Sequence, residues 1–296
     1  MPNIIKSYGW NQNLHLSNGS IELVVTLEVG PRILRLSHLN GPNLFKEYSE
    51  QLGHKDEPCW MIRGGHRLWV APEADYCYAP DNVSVSYRTI SDNHVIVSSS
   101  SESSFGWNKE MEIKLESDSD QVSVTYRMTA LKNLDYPVAL WALSVMAPGG
   151  TAIIPQAPFG DHTNKADLLP NQKLILWPYT DLQDKRYTWG RPNILVQQRD
   201  DSGPTKFGLL HQLGWVGYHL GDTLFAKTIN YNPNSDYPDM GVNFELFSNK
   251  EMLELESLAP LHHLKKGQTV EHNETWIVKK VGSVDWTKTP LLDYVK

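Results

Sequence analysis

The stretch that decides the fold class is residues 122–128, which read Val-Ser-Val-Thr-Tyr-Arg-Met. Apolar and polar side chains alternate here, and successive side chains of an extended strand point to opposite faces of a sheet. The stretch therefore predicts a half-buried β-strand. Similar segments cover residues 21–27, 33–39, 83–89, 94–99, 107–115, 174–177, 193–198, 206–211, 215–219, 224–229, 242–247, 252–258 and 269–278.

Turn signals such as Asn18-Gly19, Lys266-Gly267 and the tripeptide at 202–204 separate these segments. Such residues tolerate tight or left-handed backbone, so the strands are expected to form antiparallel meanders. Long amphipathic helical patterns with caps are missing from the sequence, which argues against a doubly wound α/β sheet. We predict an all-β protein with little helix, in which residues 1–296 form one domain.

Two stretches depart from the alternation. Residues 147–173 are rich in Pro, Gly, Asp and Asn, and we expect an irregular loop at the rim of the fold. Residues 98–104 are rich in serine, and we expect the end of a strand followed by an exposed loop.

Composition excludes several classes of function. The 296-residue chain has a net charge of -7, which gives no general attraction to nucleic acid or anionic lipid. The first ten residues lack the apolar run of a signal peptide, and no stretch approaches the roughly eighteen apolar residues of a membrane helix. We therefore expect a soluble, cytoplasmic protein with neither nucleic acid nor membrane as a partner. The oligomeric state stays open.

Metal and cofactor chemistry is not expected either. Cys59 and Cys77 lack the spacing of a zinc site, and the adjacent His262 and His263 would face opposite sides of a strand. Both cysteines are expected to be buried thiols. Phosphate-binding loops, dinucleotide fingerprints and the nucleophile elbow of hydrolases are missing from the sequence.

The first candidate cluster is residues 60–73, WMIRGGHRLWVAPE, which brings His66, Arg67, Trp69 and Glu73 close together beside two glycines. Indole faces cover the apolar face of a pyranose, while charged groups hold its hydroxyls. The segment therefore suits a sugar site. The alternative is a loop decorated by His66 and Arg67, with Trp69 in the core.

The second cluster joins residues 236–245 to residues 252–258. In strands, Asn243 and Glu245 would share one face, and so would Glu254 and Glu256. Paired carboxylates can raise a pKa for proton transfer, although a solvated face is the simpler explanation. Aromatic residues over 176–190 either pack against the sheets or form a wall of the cleft.

Several motifs together resemble a bacterial family of the galactose mutarotase-like (aldose 1-epimerase-like) superfamily. They are Gly30-Pro31-Arg32-Ile33, Asn43-Leu44-Phe45, GGHRLW at 64–69, WPYTDL at 177–182, YPDMG at 237–241 with Asn243 and Glu245, and LELESLAPL at 253–261. The resemblance implies a β-supersandwich of two large antiparallel sheets that binds sugar across one of them. It also implies a cofactor-free reaction, in which a late glutamate deprotonates the anomeric hydroxyl and a histidine protonates the ring oxygen.

The resemblance assigns roles to particular residues. Glu256 matches the late glutamate and is the expected general base, while His66 matches an early substrate-binding histidine and is the expected acid or positioning group. Arg32 and Asp239 are expected hydroxyl or anion contacts. The remaining expected sugar contacts are Arg67, Trp69, Glu73, Lys206, Tyr237, Asn243 and Glu245.

One departure from the superfamily leaves the function open. Its usual acid histidine lies in a central strand, but the comparable residues here, 138–146, read VALWALSVM and contain no histidine. Either His66, Lys206 or Tyr237 supplies the acid, or the protein binds a mono- or oligosaccharide without turnover. Lyase or hydrolase chemistry on a polysaccharide is a third hypothesis, since related folds also occur in such enzymes.

Overall fold

The computed structural model describes residues 2–99 and 105–295, and its regular structure is almost all β. The strands are β1 (Asn3–Ser7), β2 (Trp10–Ser17), β3 (Ile21–Thr26), β4 (Arg32–His38), β5 (His66–Ala71), β6 (Ser86–Ser91), β7 (His94–Ser98), β8 (Trp107–Leu115), β9 (Gln121–Ala130), β10 (Ala139–Met146), β11 (Thr151–Pro155), β12 (Leu174–Leu176), β13 (Tyr187–Trp189), β14 (Asn193–Gln197), β15 (Thr205–Leu209), β16 (Trp215–Leu220), β17 (Thr223–Thr228), β18 (Phe244–Ser248), β19 (Leu253–Leu258) and β20 (Thr269–Lys280).

Helical structure in the described residues is confined to short turns. Three are 3-10 turns, Asp75–Tyr78, Lys165–Asp167 and Leu291–Asp293, and the fourth is α1 (Pro238–Gly241). Within α1, Asp239 and Met240 have φ values of 49° and 64°. These lie in the left-handed region, so α1 is a tight turn rather than a regular helix. The predicted all-β class with little helix is confirmed.

The strands form two ten-stranded sheets. The first has the order β1-β2-β3-β4-β5-β10-β19-β18-β15-β12, and the second has the order β13-β14-β11-β16-β17-β20-β9-β8-β7-β6. A large apolar cluster lies between them, with Leu68 and Leu140 from the first sheet and Val124 and Trp276 from the second. The two-sheet supersandwich that the resemblance implied is therefore present.

Register in the middle of the first sheet sets the two faces apart. Leu143 of β10 pairs with Arg67 of β5 and with Glu256 of β19. Its neighbour Ser144 pairs with His66 in the same way. Since residues in register share a face and adjacent residues do not, Arg67 and Glu256 lie on one face and His66 lies on the other.

The alternation missed six strands: β1, β2, β5, β10, β11 and β13. Of these, the resemblance alone indicated β10, as a central strand. All six residues of β5 are buried, so the strand lacks the alternation of a half-exposed one. β11 lies inside the stretch 147–173, which was expected to be irregular. That expectation was wrong for Thr151–Pro155, whereas residues 156–173 contain only the 3-10 turn Lys165–Asp167.

The remaining expectations concern single features. Strand β7 ends at Ser98, but residues 100–104 of the serine-rich tract lie outside the described residues. Cys77 is buried and Cys59 is exposed, and both are free thiols, so the expectation of two buried cysteines was wrong for Cys59. None of the helices described is long and apolar enough to cross a membrane.

Candidate functional site

A cleft of about 170 Å³ opens over the outward face of the first sheet, above β5, β10, β19 and β15. Pockets for drug-sized ligands typically measure about 300–1,000 Å³, so this cleft suits a smaller molecule. Its walls are aromatic and its floor carries charged groups. Six aromatic residues line it: Trp60, Trp69, Tyr78, Trp141, Tyr179 and Phe247.

The aromatic wall is a connected set of rings. The centroid of Trp69 lies 5.0 Å from that of Trp60, 5.2 Å from that of Tyr78 and 5.5 Å from that of Trp141. The guanidinium of Arg67 lies 4.3 Å from the Trp69 centroid. Such contacts hold the rings in place, so the wall has a defined shape without a ligand.

The floor carries Glu256 and Lys206, and Glu245 lies directly beside them. Glu256 Oε2 accepts hydrogen bonds from Trp141 Nε1 at 3.0 Å and from Lys206 Nζ at 3.2 Å. Lys206 Nζ also lies 2.7 Å from Glu245 Oε2. The two glutamates are cross-strand neighbours in β18 and β19, which places both carboxyl groups beside one ammonium group.

This arrangement changes the protonation of all three groups. Burial raises the pKa of Glu256, and Lys206 only partly opposes the shift. Burial raises the pKa of Glu245 still further above its usual range, and its Oε1 has no hydrogen-bond partner among the described residues. Burial alone would lower the pKa of Lys206, but the two carboxylates raise it. Lys206 therefore stays an ammonium ion, and the carboxyl pair is disposed to hold a proton.

The other charged groups of the cleft are also paired. Arg67 Nη1 donates to Glu254 Oε1 at 2.9 Å, and both side chains are buried. Glu73 is exposed and its Oε1 accepts from the Tyr78 hydroxyl at 2.5 Å. Both cations that line the cleft thus already contact carboxylates.

Arg32 is in register with Arg67 but does not line the cleft. Its guanidinium is fully buried and donates to the carbonyl oxygens of Ile62 at 2.7 Å and Gly64 at 2.8 Å. A third contact, at 3.3 Å, joins it to Asp81. Arg32 therefore fixes the segment before β5 and supports the cleft from outside.

His66 is not brought to Glu256. Its Nδ1 lies 2.9 Å from Ser144 Oγ, and its Nε2 lies 2.7 Å from the hydroxyl of Tyr126 in the second sheet. Burial lowers its pKa well below the ordinary value, so the ring is neutral. The backbone of the first sheet separates the imidazole from the cleft.

Asn243, Tyr237 and Asp239 also lie outside the cleft. Asn243 is fully buried, and its amide braces loops by donating to the carbonyl oxygens of His211 and Asn230 at 2.8 and 3.0 Å. Tyr237 and Asp239 line a separate, larger cavity. Of the expected site residues, the structure gathers Arg67, Trp69, Glu73, Lys206 and Glu256 in one cleft, with Glu245 beside them.

Sequence reasoning did not assign roles to Trp60, Tyr78, Trp141 and Glu254, which also line the cleft. Glu254 could have been found, because it shares a strand face with Glu256. Trp141 could have been found from the same parity once its strand was paired with β19. Tyr78 carried no signal, since it reaches the cleft through the 3-10 turn after β5. The aromatic segment 176–190 contributes Tyr179 to the cleft. The ring centroid of Trp177, in the same segment, lies 4.9 Å from Lys206 Nζ.

Across residues 2–99 and 105–295, no group of three or more His, Cys, Asp and Glu side chains is placed to hold a metal ion.

Comparison with known proteins identifies the fold. No protein-family model matches the chain, and no curated protein matches its sequence. A galactose mutarotase-like protein from Lactobacillus casei superposes with a TM-score of 0.54 at 10% identity, over 90% of this chain and 100% of that one. Another, from Clostridium acetobutylicum, gives 0.54 at 9% identity, over 95% and 99%.

Galactose 1-epimerase from Lactobacillus acidophilus superposes with a TM-score of 0.51 at 10% identity, over 95% of this chain and 99% of that one. Identities this low establish the fold and no more. The chain has the galactose mutarotase-like fold, as the sequence motifs implied.

Proposed function

We propose that the cleft binds a neutral sugar and that Glu256 exchanges a proton with its anomeric hydroxyl, as in an aldose 1-epimerase. The observation that carries this proposal is the position of Glu256. Its carboxyl group lies at the floor of an aromatic cleft, held by the indole of Trp141 and the ammonium of Lys206. The fold, shared with a galactose 1-epimerase, supports the proposal.

The chemistry of the cleft suits proton transfer. A carboxylate whose pKa is raised toward neutrality is a better general base than an ordinary one, and burial raises the pKa of Glu256. Lys206 lies 3.2 Å from that carboxylate, where its fixed positive charge would stabilise a developing sugar oxyanion.

The acid partner decides between turnover and binding. Of the three candidates for the acid, Lys206 alone lines the cleft, because His66 lies behind the sheet and Tyr237 lies in another cavity. The raised pKa of Lys206 makes it a reluctant proton donor. This observation supports a second candidate function, sugar binding without turnover.

Charge in the cleft favours a neutral ligand. Arg67 is paired with Glu254, and Lys206 with Glu245 and Glu256. A sugar phosphate would have to compete with these carboxylates for each cation, and breaking a buried ion pair is costly. We therefore expect neutral hexoses to bind and hexose phosphates to be rejected.

Exchange spectroscopy by NMR tests the proposal on the α and β anomers of glucose and galactose. We expect the protein to speed interconversion above the buffer rate, and Glu256→Gln to reduce that acceleration by about 100-fold or more. Glu251→Gln, at an exposed residue in the turn before β19, is the matched control and should retain the activity.

The outcomes separate the two functions. Sugar binding with exchange at the buffer rate would support the binding protein and contradict the epimerase. Tight binding of glucose 6-phosphate with weak binding of glucose would contradict the neutral-sugar proposal. If calorimetry detects no binding of any hexose, both functions are contradicted.

A further inference from the structure

A second cavity of about 810 Å³ lies next to the cleft, and we call it the tyrosine groove. It is defined by Tyr76, Tyr136, Tyr237 and Leu261, with Asp239 at its edge. The rings of Tyr76 and Tyr136 are stacked, with centroids 5.9 Å apart and planes inclined by 7°. Tyr136 is 40% exposed, so an aromatic surface is open to a ligand.

The groove adjoins the cleft through one short segment. Pro72, Ala74 and Asp75 line the groove, whereas Glu73 between them lines the cleft. The chain runs from Trp69 in the cleft to Pro72 in the groove in three residues, which can span at most roughly 10 Å. A ligand that leaves the cleft past Glu73 therefore meets the tyrosines after a short distance.

Asp239 is a second link between the two cavities. Burial is the main cause of the raised pKa of Glu245 beside the cleft and of Tyr76 in the groove. The Asp239 carboxylate adds a smaller contribution to both. The turn that carries Asp239 has left-handed backbone at two successive residues, Asp239 and Met240. The turn thus places the Asp239 carboxylate in the lining of the groove and within electrostatic range of Glu245.

The lining of the groove has the chemistry of a sugar subsite. Aromatic faces cover the C–H face of a pyranose, and carboxylates accept hydrogen bonds from its hydroxyl groups. Asp75 and Asp239 supply the acceptors, and the described lining contains no Lys, Arg or His. An anionic ligand has nothing to pair with here, whereas a neutral saccharide has both a stacking surface and acceptors.

We propose that the tyrosine groove is a second saccharide subsite, so that the cleft takes the reducing-end unit of an oligosaccharide rather than a free monosaccharide. This inference rests on the proposed function, because the first sugar unit occupies the cleft. The occupant of the groove is the sugar unit linked to it.

Calorimetry with glucose, maltose and maltotriose, and with galactose and lactose, tests the subsite. We expect the wild-type protein to bind the longer member of a series about tenfold more tightly than its monosaccharide, since one stacked ring contributes a gain of that order. Tyr136→Ala should abolish this gain and leave monosaccharide affinity unchanged. Tyr87→Ala removes a similarly exposed tyrosine, 47% accessible and in the edge strand β6, and should change neither affinity.

A second variant tests the subsite independently, in case Tyr136→Ala does not fold. Asp239→Asn keeps the side-chain shape and a residue type that tolerates left-handed backbone, and it should weaken the longer sugars by about threefold through loss of a charged acceptor. A chain-length gain that survives both variants, or no gain in any series, would overturn the subsite while monosaccharide binding upholds the cleft. Failure of every saccharide to bind would overturn the cleft and the subsite together.

Discussion

Strands β5, β10 and β19 carry buried polar groups on both faces, and the two faces are built differently. On the inner face, Glu274 of the second sheet accepts hydrogen bonds from Tyr126, Ser257 and Trp276 at 2.8, 2.5 and 2.7 Å. Lys227 Nζ lies 2.6 Å away, and both ionic side chains are fully buried. On the outer face, two carboxyl groups share the single ammonium of Lys206.

The contrast shows that the number of hydrogen-bond donors and cations around a buried carboxyl group decides whether its pKa is lowered or raised. Burial alone would raise the pKa of Glu274, but the ammonium of Lys227 holds it at about 2. The same burial raises the pKa of Glu245 and Glu256, because one cation serves both. The inner network is saturated and stabilises the fold, whereas the outer one retains proton-binding capacity beside a cleft.

The inner network also determines the tautomer of His66. Tyr126 has one hydroxyl proton, and its donor bond goes to Glu274. His66 must therefore donate from Nε2 to the Tyr126 oxygen and accept from Ser144 at Nδ1. His66 belongs to the structural network, where its neutral ring links the two sheets.

The largest expected effect is on stability. Lys227→Met would leave Glu274 buried without its cation and should lower the free energy of unfolding by about 3–5 kcal/mol, measured by urea denaturation. Adding Glu274→Gln in the same chain removes the uncompensated charge and should recover part of that loss. A loss below about 1 kcal/mol would show that the inner pair is not the saturated network described above.

Acid should destabilise the protein through Glu274. Its pKa is about 2 in the folded protein against an ordinary 4.5, so the unfolded state binds the proton first and stability falls between pH 4.5 and 2. The shift corresponds to about 3 kcal/mol. We expect the stability advantage of the wild type over Glu274→Gln to shrink by that amount across this range, whereas Glu271→Gln, an exposed neighbour on β20, should show no comparable change.

The contribution of the outer face to stability should depend on pH with the opposite sign. The pKa of Glu245 is raised in the folded protein, so above the ordinary carboxyl pKa the folded state retains a proton that the unfolded state has lost. Stability therefore falls as pH rises from the ordinary value toward the raised one. Urea titrations should show that Glu245→Gln flattens this fall, and an unchanged slope would contradict the raised pKa.

The smallest expected effect is on ligand affinity. His66→Gln should change the affinity for a bound hexose by less than about twofold, because the imidazole lies behind the sheet. It should still cost about 1–2 kcal/mol of stability through the lost bond to Tyr126. Calorimetry measures the affinity and urea denaturation measures the stability. A large loss of affinity in a variant as stable as the wild type would indicate that His66 contacts the bound sugar.

Alternation in the sequence was enough to predict the β class and most strands, since a sheet that buries one face leaves a period of two in the residues. Strand 107–115 was predicted with its observed bounds, Trp107–Leu115. Parity also placed Glu254 and Glu256 on one face. Those inferences needed only local geometry.

Tertiary structure alone decided which face was which. The sequence requires His66 and Arg67 to point to opposite sides of β5, but every residue of that strand is buried, so hydrophobicity could not say which side meets the second sheet. Pairing with β10 and β19 settled it and joined Arg67, Trp141 and Glu256 across 190 positions of chain, from 67 to 256. Local patterns describe a strand, and only the packing of sheets determines which polar side chains are enclosed as structure and which are left beside a cleft.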